Sequence, residues 1–430
     1  MVSQAVHTVR RVVETDKRCF SRSTVRGSAL YRRTTGIFAP VVEETVMRRL
    51  VRGLIGAVAT LVSLTGLPYA IYLLLAKVWN PQGSPADKQP AEPTVSIVLP
   101  TYNEERIVEN KLRDIVSLDY PMEKVEVVIV DSSDDDTREI IRAFFADRQT
   151  PELTLLEEDE RRGLAPALND AYAAASDEMV VKTDCDSKVA ADALREAAAN
   201  LADPDVGAVT GRNVDVLGGS DVEEGYRDVQ ATIQTLESHL DSTLIFHGPF
   251  SAFENREIVP IDPDSIADDT ELALKIRKNG KRVVFDPEIR YKEASHSAFN
   301  KRRSQKDRRA MGLIRLLLRN RDMLGRYGLY GGVVLPFNWW FMLVSPWLMA
   351  AGIGLATALG LVVAGPFGLV VPASVGAFTL LGSRDKLGSL QAVYAVFDTQ
   401  VSLLFAAVKL WRGEGSAVWD VDEELRDLYE

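Results

Sequence analysis

The sequence of 430 residues predicts an α/β domain with a parallel sheet, inserted between membrane-spanning helices. Two observations predict this arrangement. Residues 54–78 and most of 330–381 are almost free of charge, and both stretches exceed the ~20 apolar residues that cross a bilayer. Between them, from about residue 90 to 303, short apolar runs alternate with helix-like segments, which is typical of a parallel sheet covered by helices on both faces.

Composition narrows the possible partners and the compartment. The 61 acidic residues outnumber the 50 basic ones, giving a net charge of −11. A nucleic-acid partner needs a basic face, so we expect no nucleic acid. The two cysteines, Cys19 and Cys185, lie far apart and imply no disulfide framework, which favours a reducing compartment.

The N-terminal part of the chain precedes the α/β pattern. Residues 1–50 are polar and rich in Arg, with no apolar core, so they are not a signal peptide. They are interpreted either as a disordered tail or as an extension upstream of a misplaced start codon. Residues 54–78 are the first predicted span, and the Pro-rich stretch 80–93 is a polar linker.

Strands and helices then follow one another along the soluble domain, which we expect to cover residues 94–299. The predicted strands are 94–100, 125–130, 153–156, 179–183, 206–212 and 282–285, with a further strand, glycine turn and strand in 244–253. The predicted helices are 104–117, 136–146, 164–175, 190–201, 223–238 and 268–279.

The C-terminal part returns to the membrane. Residues 300–328 are basic and amphipathic, which indicates a helix on the lipid headgroups and a cytoplasmic flank. Region 332–410 contains two predicted spans, 335–360 and 361–381. A third stretch, 390–410, is ambiguous, because Asp398 and Gln400 stand at its middle and a charged group is costly in lipid. Either these residues are buried between helices or the segment lies at the membrane interface. An acidic soluble tail, 411–430, ends the chain.

The topology contains one conflict. If the soluble domain is cytoplasmic and residues 54–78 form a single span, the Arg-rich segment 1–50 lies outside, against the positive-inside trend. Two solutions stay open: residues 54–78 do not fully cross, or the C-terminal basic flank determines the orientation.

An acidic pair, Asp184 and Asp186, follows the predicted strand 179–183. Side chains two residues apart point to the same side of an extended chain, and ligands bind at the carboxyl ends of strands in open α/β sheets. Two carboxylates there can hold Mg²⁺ or Mn²⁺, and the cation can hold a diphosphate. A turn or a helix cap is the alternative. A calcium EF-hand fits less well, because no Gly follows at the sixth position of the loop.

Several motifs occur in a fixed order. They are PTYNEE (100–105), Asp131, RRGLAPALN (161–169), DCDS (184–187), ADDTELALKIRKNGKR (267–282) and QKDRR (305–309), followed by the membrane spans. In this order they resemble a membrane-bound family 2 glycosyltransferase with the Rossmann-like, nucleotide-sugar-binding GT-A fold. Chitin, cellulose, hyaluronan and poly-N-acetylglucosamine synthases and ceramide glucosyltransferases are similar. The resemblance covers about residues 94–309.

The resemblance implies a nucleotide-sugar site at the strand ends. Its expected members are Pro100, Thr101, Glu104, Asp131, Arg162, Asn169 and Asp184. Arg161 and Arg162 would pair with phosphates, Asn169 with the base or ribose, and Asp131 with a uracil imide or a ribose hydroxyl. The alternatives are a helix cap or Asx-turn for Asp131 and a solvated helix start for the other three. Many relatives have Lys where this chain has Leu164.

The resemblance also implies the catalytic base. Asp269 corresponds to the Asp of the Glu-Asp pair of the family, and Asp268 stands where Glu is commoner. Glu271 is close enough in sequence to share the role. N-terminal helix capping is the alternative for Asp268 and Asp269. Neighbouring acidic groups and burial raise the pKa of a carboxyl, which suits proton abstraction.

The last motif, QKDRR, provides the expected acceptor-binding residues. Gln305, Arg308 and Arg309 match the Gln-x-x-Arg-Trp motif that contacts diphosphate and acceptor sugar, except that Arg309 replaces Trp. The missing aromatic residue weakens the case for a processive polymerase. Gly248 and Phe250 stand where the family places an acceptor-binding loop. We expect the neighbouring His247 to be structural.

Together these expectations describe an inverting glycosyltransferase of the cell membrane, multi-pass, with a cytoplasmic catalytic domain. It would use Mg²⁺ or Mn²⁺ and a nucleotide sugar, most often a UDP sugar in this family, and transfer to a lipid-linked or saccharide acceptor. One alternative is a processive polysaccharide synthase. Another is a non-enzymatic, nucleotide-sensing membrane protein, which would need Asp131 and the acidic pair but not Asp269.

Overall fold

A mixed sheet of eight strands forms the centre of the soluble domain in the computed structural model, which describes residues 30–217, 221–294, 299–414 and 426–427. Residues 1–29 of the predicted N-terminal segment, and 415–425 and 428–430 of the predicted acidic tail, lie outside this description. The strands are β1 Val95–Thr101, β2 Val125–Asp131, β3 Glu152–Glu157, β4 Met179–Lys182, β5 Ser187–Val189, β6 Val206–Leu217, β7 Ser251–Glu254 and β8 Arg282–Ala294. Their order in the sheet is β3-β2-β1-β4-β7-β6-β8-β5.

Helices cover both faces of the sheet, as predicted. The helices are α1 Leu30–Trp79, α2 Val108–Val116, α3 Thr137–Phe145, α4 Leu164–Ala174, α5 Ala193–Leu201, α6 Asp221–Leu240, α7 Asp268–Lys278, α8 Phe299–Arg319, α9 Leu335–Trp339, α10 Ser345–Ala364, α11 Val370–Gly382 and α12 Gln391–Trp411. Alternate residues of β1 face opposite sides: Ile97 joins the core under α2 and α5, and Val98 joins the core under α4 and α7. The predicted α/β layers are therefore confirmed.

The direction of pairing is only partly as predicted. Strands β3, β2, β1 and β4 are parallel, but β7 runs antiparallel to both β4 and β6, and β5 runs antiparallel to β8. The first strand predicted in 244–253 is wrong, since only an isolated bridge joins His247 and Phe250 before β7. Strand β5 was not predicted. Hydrophobic periodicity reports which residues are buried and carries no information on strand direction.

Three helical stretches of the described residues are long and apolar enough to cross a membrane: Met47–Trp79, Tyr330–Gly382 and Gly388–Trp411. The first belongs to α1, which begins well before the predicted span. The second contains the two predicted spans, and the chain turns in the 3₁₀ segment Gly365–Leu369. Gly365 has a φ of +59° there, and a Cβ on Gly360 would lie 2.9 Å from Gly368 Cα, so the two backbones are in contact.

Helix α8 packs on α12, which explains the polar residues predicted to be costly in lipid. Asp398 of α12 is buried and pairs with Arg303 at 2.8 Å and with Lys306 at 3.3 Å. Lys409 of α12 pairs with Asp307 of α8 at 2.8 Å. Asp398 is therefore buried between helices, which is one of the two conditions that the sequence left open.

Candidate active site

One cavity of about 720 Å³ extends from the carboxyl ends of β1 and β4 to the membrane helices. Predicted site residues that line it are Pro100, Thr101, Glu104, Asp184, Asp186, Gly248, Asp268, Asp269, Gln305, Arg308 and Arg309. The cavity thus brings together the motifs around residues 100, 184, 268 and 305, which are far apart in the chain.

The acidic pair lies just beyond the end of β4. Ser187 Oγ donates a hydrogen bond of 2.7 Å to the Asp184 carbonyl, and buried Lys111 Nζ donates to the Ser187 carbonyl at 2.8 Å. These bonds fix the loop that carries both carboxylates. Burial and the neighbouring Asp184 carboxylate raise the pKa of Asp186 to about 6. A bound cation would stabilise the ionised form of both carboxylates and so lower the pKa again.

The acidic pair fits a hard divalent cation. No group of three or more His, Cys, Asp and Glu side chains converges on a metal position within the described ranges. Asp184 and Asp186 alone would leave coordination positions for other oxygens, which is how Mg²⁺ is usually bound beside phosphates.

Asp268 and Asp269 begin helix α7, and both are buried, each 8% exposed. The N-cap position of the helix is Ala267, and no side-chain hydrogen bond caps the helix from there. Asp268 Oδ2 and Asp269 Oδ1 have no hydrogen-bond partner among the described residues. Burial and the Asp268 carboxylate raise the pKa of Asp269 to about 8. Buried carboxylate oxygens without partners are rare in folded proteins, and these are ready to accept a proton from a ligand.

Lys182 connects the two acidic pairs. Its side chain is 2% exposed, and Nζ lies 2.7 Å from Asp184 Oδ1, 3.5 Å from Asp269 Oδ2 and 4.0 Å from Asp268 Oδ2. Burial alone would lower the pKa of Lys182, but the three carboxylates raise it well above its ordinary value. The ammonium group is therefore charged inside the site.

Gly248 closes the site from the opposite side. A Cβ at this position would lie 2.6 Å from Asp184 Oδ2, 3.0 Å from Lys182 Nζ and 3.2 Å from Asp269 Oδ2. Only a residue without a side chain leaves the carboxylates where they are. The neighbouring His247 donates a hydrogen bond of 3.0 Å from Nε2 to Gln234 Oε1, and burial lowers its pKa to about 4. A neutral, hydrogen-bonded His247 is consistent with the structural role that we expected.

The donor end of the cavity is built on β1 and β2. Thr101, which lines the cavity, donates a hydrogen bond of 2.5 Å to Asp131 Oδ2. Asp131 itself is fully buried, and it also accepts from Ser133 Oγ at 2.7 Å and from Arg138 Nε at 2.6 Å. Asp131 therefore fixes the wall of the site from beneath, and its direct contact with a base or ribose stays a prediction.

Two further cations lie at this end, Arg161, which was predicted to pair with phosphates, and Arg426, which was not predicted. Arg161 lines the cavity with its guanidinium 3.7 Å from the centre of the Tyr102 ring. Arg426, from the C-terminal tail, donates from Nε to Glu104 at 2.8 Å and from Nη2 at 2.5 Å. Burial raises the pKa of Glu104 to about 8, against the opposing effect of Arg426.

Besides Asp131, four predicted site residues do not line the cavity. Arg162 pairs with Glu158 and Asp170 at the surface. Asn169 exchanges two hydrogen bonds of 2.9 Å with the backbone of Ile261 and so holds the loop before α7. Glu271 accepts from the Asp262 amide at 2.7 Å and pairs with Lys275 at 2.8 Å; Phe250 is buried in the core. These four residues make contacts within the fold outside the cavity, and their predicted contacts with a ligand stay predictions.

The other end of the cavity is basic and then apolar. Arg309 Nη2 lies 2.6 Å from Glu293 Oε1, and burial together with Arg309 lowers the pKa of Arg308 to about 10. Beyond them Phe337 and Phe341, which line the cavity, stack on Tyr69 of α1, with ring centres 6.2 and 5.3 Å apart. The cavity therefore passes from acidic through basic to aromatic surroundings.

Sequence signals existed for only some of the missed residues. Lys182 stands two residues before Asp184 on a strand, so the two side chains share a side, and that spacing could have been used. Arg426 stands 322 residues after Glu104, and no local pattern relates them.

Comparison with known proteins agrees with this geometry. The profile of the family described as glycosyl transferase family 2 matches residues 96–256, and that of glycosyl transferase family group 2 matches residues 179–371. The chain is 29% identical over 202 residues to a poly-beta-1,6-N-acetyl-D-glucosamine synthase of Staphylococcus aureus strain COL, covering 45% of this chain and 48% of that protein. It is 30% identical over 208 residues to the synthase of the same name from Staphylococcus epidermidis, covering 46% and 47%. The chain thus spans about half the length of the curated relatives that it matches.

A solved structure extends the likeness over nearly the whole chain. It is the mannosyltransferase PcManGT from Pyrobaculum calidifontis in complex with GDP-Man and Mn²⁺, with a TM-score of 0.70 and 30% sequence identity. The likeness covers 84% of this chain and 99% of that one. This chain belongs to glycosyltransferase family 2, and its soluble domain is a GT-A fold flanked by long apolar helices.

Proposed function

We propose that this glycosyltransferase moves a sugar, with inversion, from a nucleotide sugar to a hydroxyl group of a lipid-borne acceptor at the membrane. One observation carries the proposal. A single cavity joins Asp184, Asp186 and Asp269 at the strand ends to Phe337 and Phe341 of the apolar helices. A donor and an amphipathic acceptor would meet in that cavity.

The residues divide the chemistry between them. Asp269 takes the proton from the acceptor hydroxyl, using the buried oxygen Oδ1 that has no partner in the described part of the chain. The acceptor oxygen then attacks the anomeric carbon from the face opposite the nucleotide, and the nucleoside diphosphate leaves with the bonding electrons. A divalent cation held by Asp184 and Asp186 would offset the charge of the departing diphosphate.

The choice of donor sugar follows from how much of this chain each known protein resembles. The sequence favours a UDP sugar because that donor is commonest in the family. The PcManGT structure, bound to GDP-Man and Mn²⁺, covers 84% of this chain, whereas the poly-N-acetylglucosamine synthases cover less than half. We therefore place GDP-mannose first and UDP-N-acetylglucosamine second, with Mn²⁺ or Mg²⁺ as the cation.

The residues at the far end of the cavity, away from the acidic pair, are the basis for proposing a lipid-borne acceptor. An aromatic ring that could grip a growing sugar chain is absent at position 309, where Arg309 pairs with Glu293 at 2.6 Å. The next wall is made of aromatic and aliphatic side chains of helices that are apolar enough to span a membrane. A lipid tail fits such a wall better than a hydrated polysaccharide does, because apolar surface is stabilised by leaving water.

The apolar helices and the basic helix α8 indicate where the protein is located. The helical stretches Met47–Trp79, Tyr330–Gly382 and Gly388–Trp411 support a protein of the cell membrane. We propose that it is multi-pass and that the catalytic domain is cytoplasmic, because nucleotide sugars are cytoplasmic and α8 carries a basic flank.

The test uses the full chain in membranes, incubated with Mn²⁺ and either labelled GDP-mannose or labelled UDP-N-acetylglucosamine. We expect one donor to label a short glycolipid that extracts into organic solvent, and we expect Asp269→Asn to lower the rate of labelling by about 10²- to 10⁴-fold. High-molecular-weight polysaccharide that forms early, without short intermediates, would instead support the processive synthase. Absence of label from both donors, with a folded protein, would contradict the proposal.

A further inference from the structure

Lys182 is a buried cation to which the family motifs assign no role. It ends β4, and period-2 alternation places it on the same side as Val180, which packs in the core under α7. That side faces the start of α7, where Asp268 and Asp269 lie. A lysine buried to 2% exposure is costly unless it is paired, so its position needs a reason.

The contacts of Lys182 are divided between the two carboxylate groups of the site. Nζ lies 2.7 Å from Asp184 Oδ1 on the donor side and 3.5 Å from Asp269 Oδ2 on the acceptor side. Asp269 Oδ1, the other oxygen of the same carboxylate, is buried without a hydrogen-bond partner among the described residues. One oxygen of Asp269 is therefore held by the ammonium group, and the other is left for a ligand.

The opposite wall prevents this arrangement from relaxing. A Cβ on Gly248 would lie within 3.2 Å of Asp184, Lys182 and Asp269 alike, so the loop backbone already packs closely against the three polar groups. The side chain of Lys182 and the backbone of Gly248 thus hold the two carboxylates from two sides.

We propose that Lys182 is the positioning residue that sets the catalytic base, by holding Asp269 Oδ2 so that Oδ1 faces the acceptor hydroxyl at a fixed distance from the donor-side Asp184. This inference rests on the proposed role of Asp269. It adds a residue that never contacts the reacting atoms and acts through Asp269 alone. Through one ammonium group it also connects Asp269, which activates the acceptor, to Asp184, which lies on the side of the sugar donor.

The test separates chemistry from binding. Lys182→Met should lower kcat by about 10²-fold, since a base displaced by about 1 Å loses that much. Affinity for GDP and for UDP in the presence of Mn²⁺, measured by calorimetry on the purified full chain, should stay within about threefold of wild type. Loss of the ammonium strengthens cation binding and weakens diphosphate binding, and the two effects oppose each other.

A double-mutant cycle tests whether Lys182 acts through Asp269. In an Asp269→Asn background, Lys182→Met should cost little more, because the group that it positions is already gone. The matched control is Lys275→Met: this lysine of α7 also bridges two carboxylates, Glu271 at 2.8 Å and Asp262 at 3.0 Å, but lies outside the cavity. It should leave kcat close to wild type.

Each outcome decides between the assignments. If Lys182→Met lowers nucleotide affinity while kcat stays unchanged, or if its cost adds fully to that of Asp269→Asn, the positioning role is overturned. If Lys182→Met does not fold, Lys182→Gln replaces it with the same expectations, and Lys182→Arg should recover part of the lost rate. If wild type transfers from neither donor, or Asp269→Asn keeps its rate, the proposed function fails instead.

Discussion

Replacing Gly248 by Ala tests the geometry of the site with a single methyl group. The added Cβ would lie 2.6 Å from Asp184 Oδ2, whereas ordinary contact begins at 3.4 Å, so that oxygen or the loop must retreat by about 0.8 Å. Lys182 Nζ and Asp269 Oδ2, at 3.0 and 3.2 Å, must shift by a few tenths of an ångström. Gly248 does not have a positive φ, so alanine adds no backbone strain there.

A displacement of this size at reacting groups predicts a kcat lower by about 10²-fold, with little change in folding. The assay is transfer from the labelled donor by the purified variant, alongside its thermal unfolding curve. Gly376→Ala is the matched control, because a Cβ at that position of α11 meets no heavy atom within 4 Å. A Gly248→Ala protein with the activity of wild type would refute the account of a site held rigid between Lys182 and the loop.

Three further predictions concern individual side chains. Asp186→Ala should abolish turnover, and wild-type activity should disappear in excess chelator; activity that persists there would contradict the cation assignment. Because burial and Asp268 raise the pKa of Asp269 to about 8, only about one tenth of the base is ionised at pH 7, and kcat/KM should rise as the pH increases toward 9. A profile that is flat between pH 6 and 9 would exclude Asp269 as the base. Arg426→Ala should raise the donor KM by about tenfold with a smaller effect on kcat, since it removes a cation from the donor end of the cavity; an unchanged donor KM would mean that Arg426 serves only Glu104.

The fold and the acidic residues of the site were predictable because their signals are local. Apolar runs that end in carboxylates marked β2 and β4, and the two aspartates at the start of α7 follow a short motif. The ends of parallel strands meet at one edge of the sheet, so these motifs had to converge. That argument places Asp184, Asp186 and Asp269 around one cavity, where the structure has them.

The remaining features depend on contacts between distant parts of the chain. Strand β7 is antiparallel because of the path that the chain takes through α6, which no residue pattern encodes. Arg162 and Asn169 matched a motif, yet local partners turn the first to the surface and use the second to hold Ile261. The spacing of Lys182 from Asp184 is a local signal, but its contact with Asp269, 87 residues away, corresponds to no local pattern.

The stereochemistry of the product tests the central claim most directly, because Asp269 can act as described only in an in-line displacement. Sugar transferred from a ¹³C-labelled α-linked donor is recovered in the glycolipid, and its anomeric configuration is read from the one-bond C1–H1 coupling by NMR. The account predicts a β-linked sugar, made by wild type and made at least about 10²-fold more slowly by Asp269→Asn. An α-linked product would contradict it, since retention of configuration requires a different arrangement of groups around the anomeric carbon.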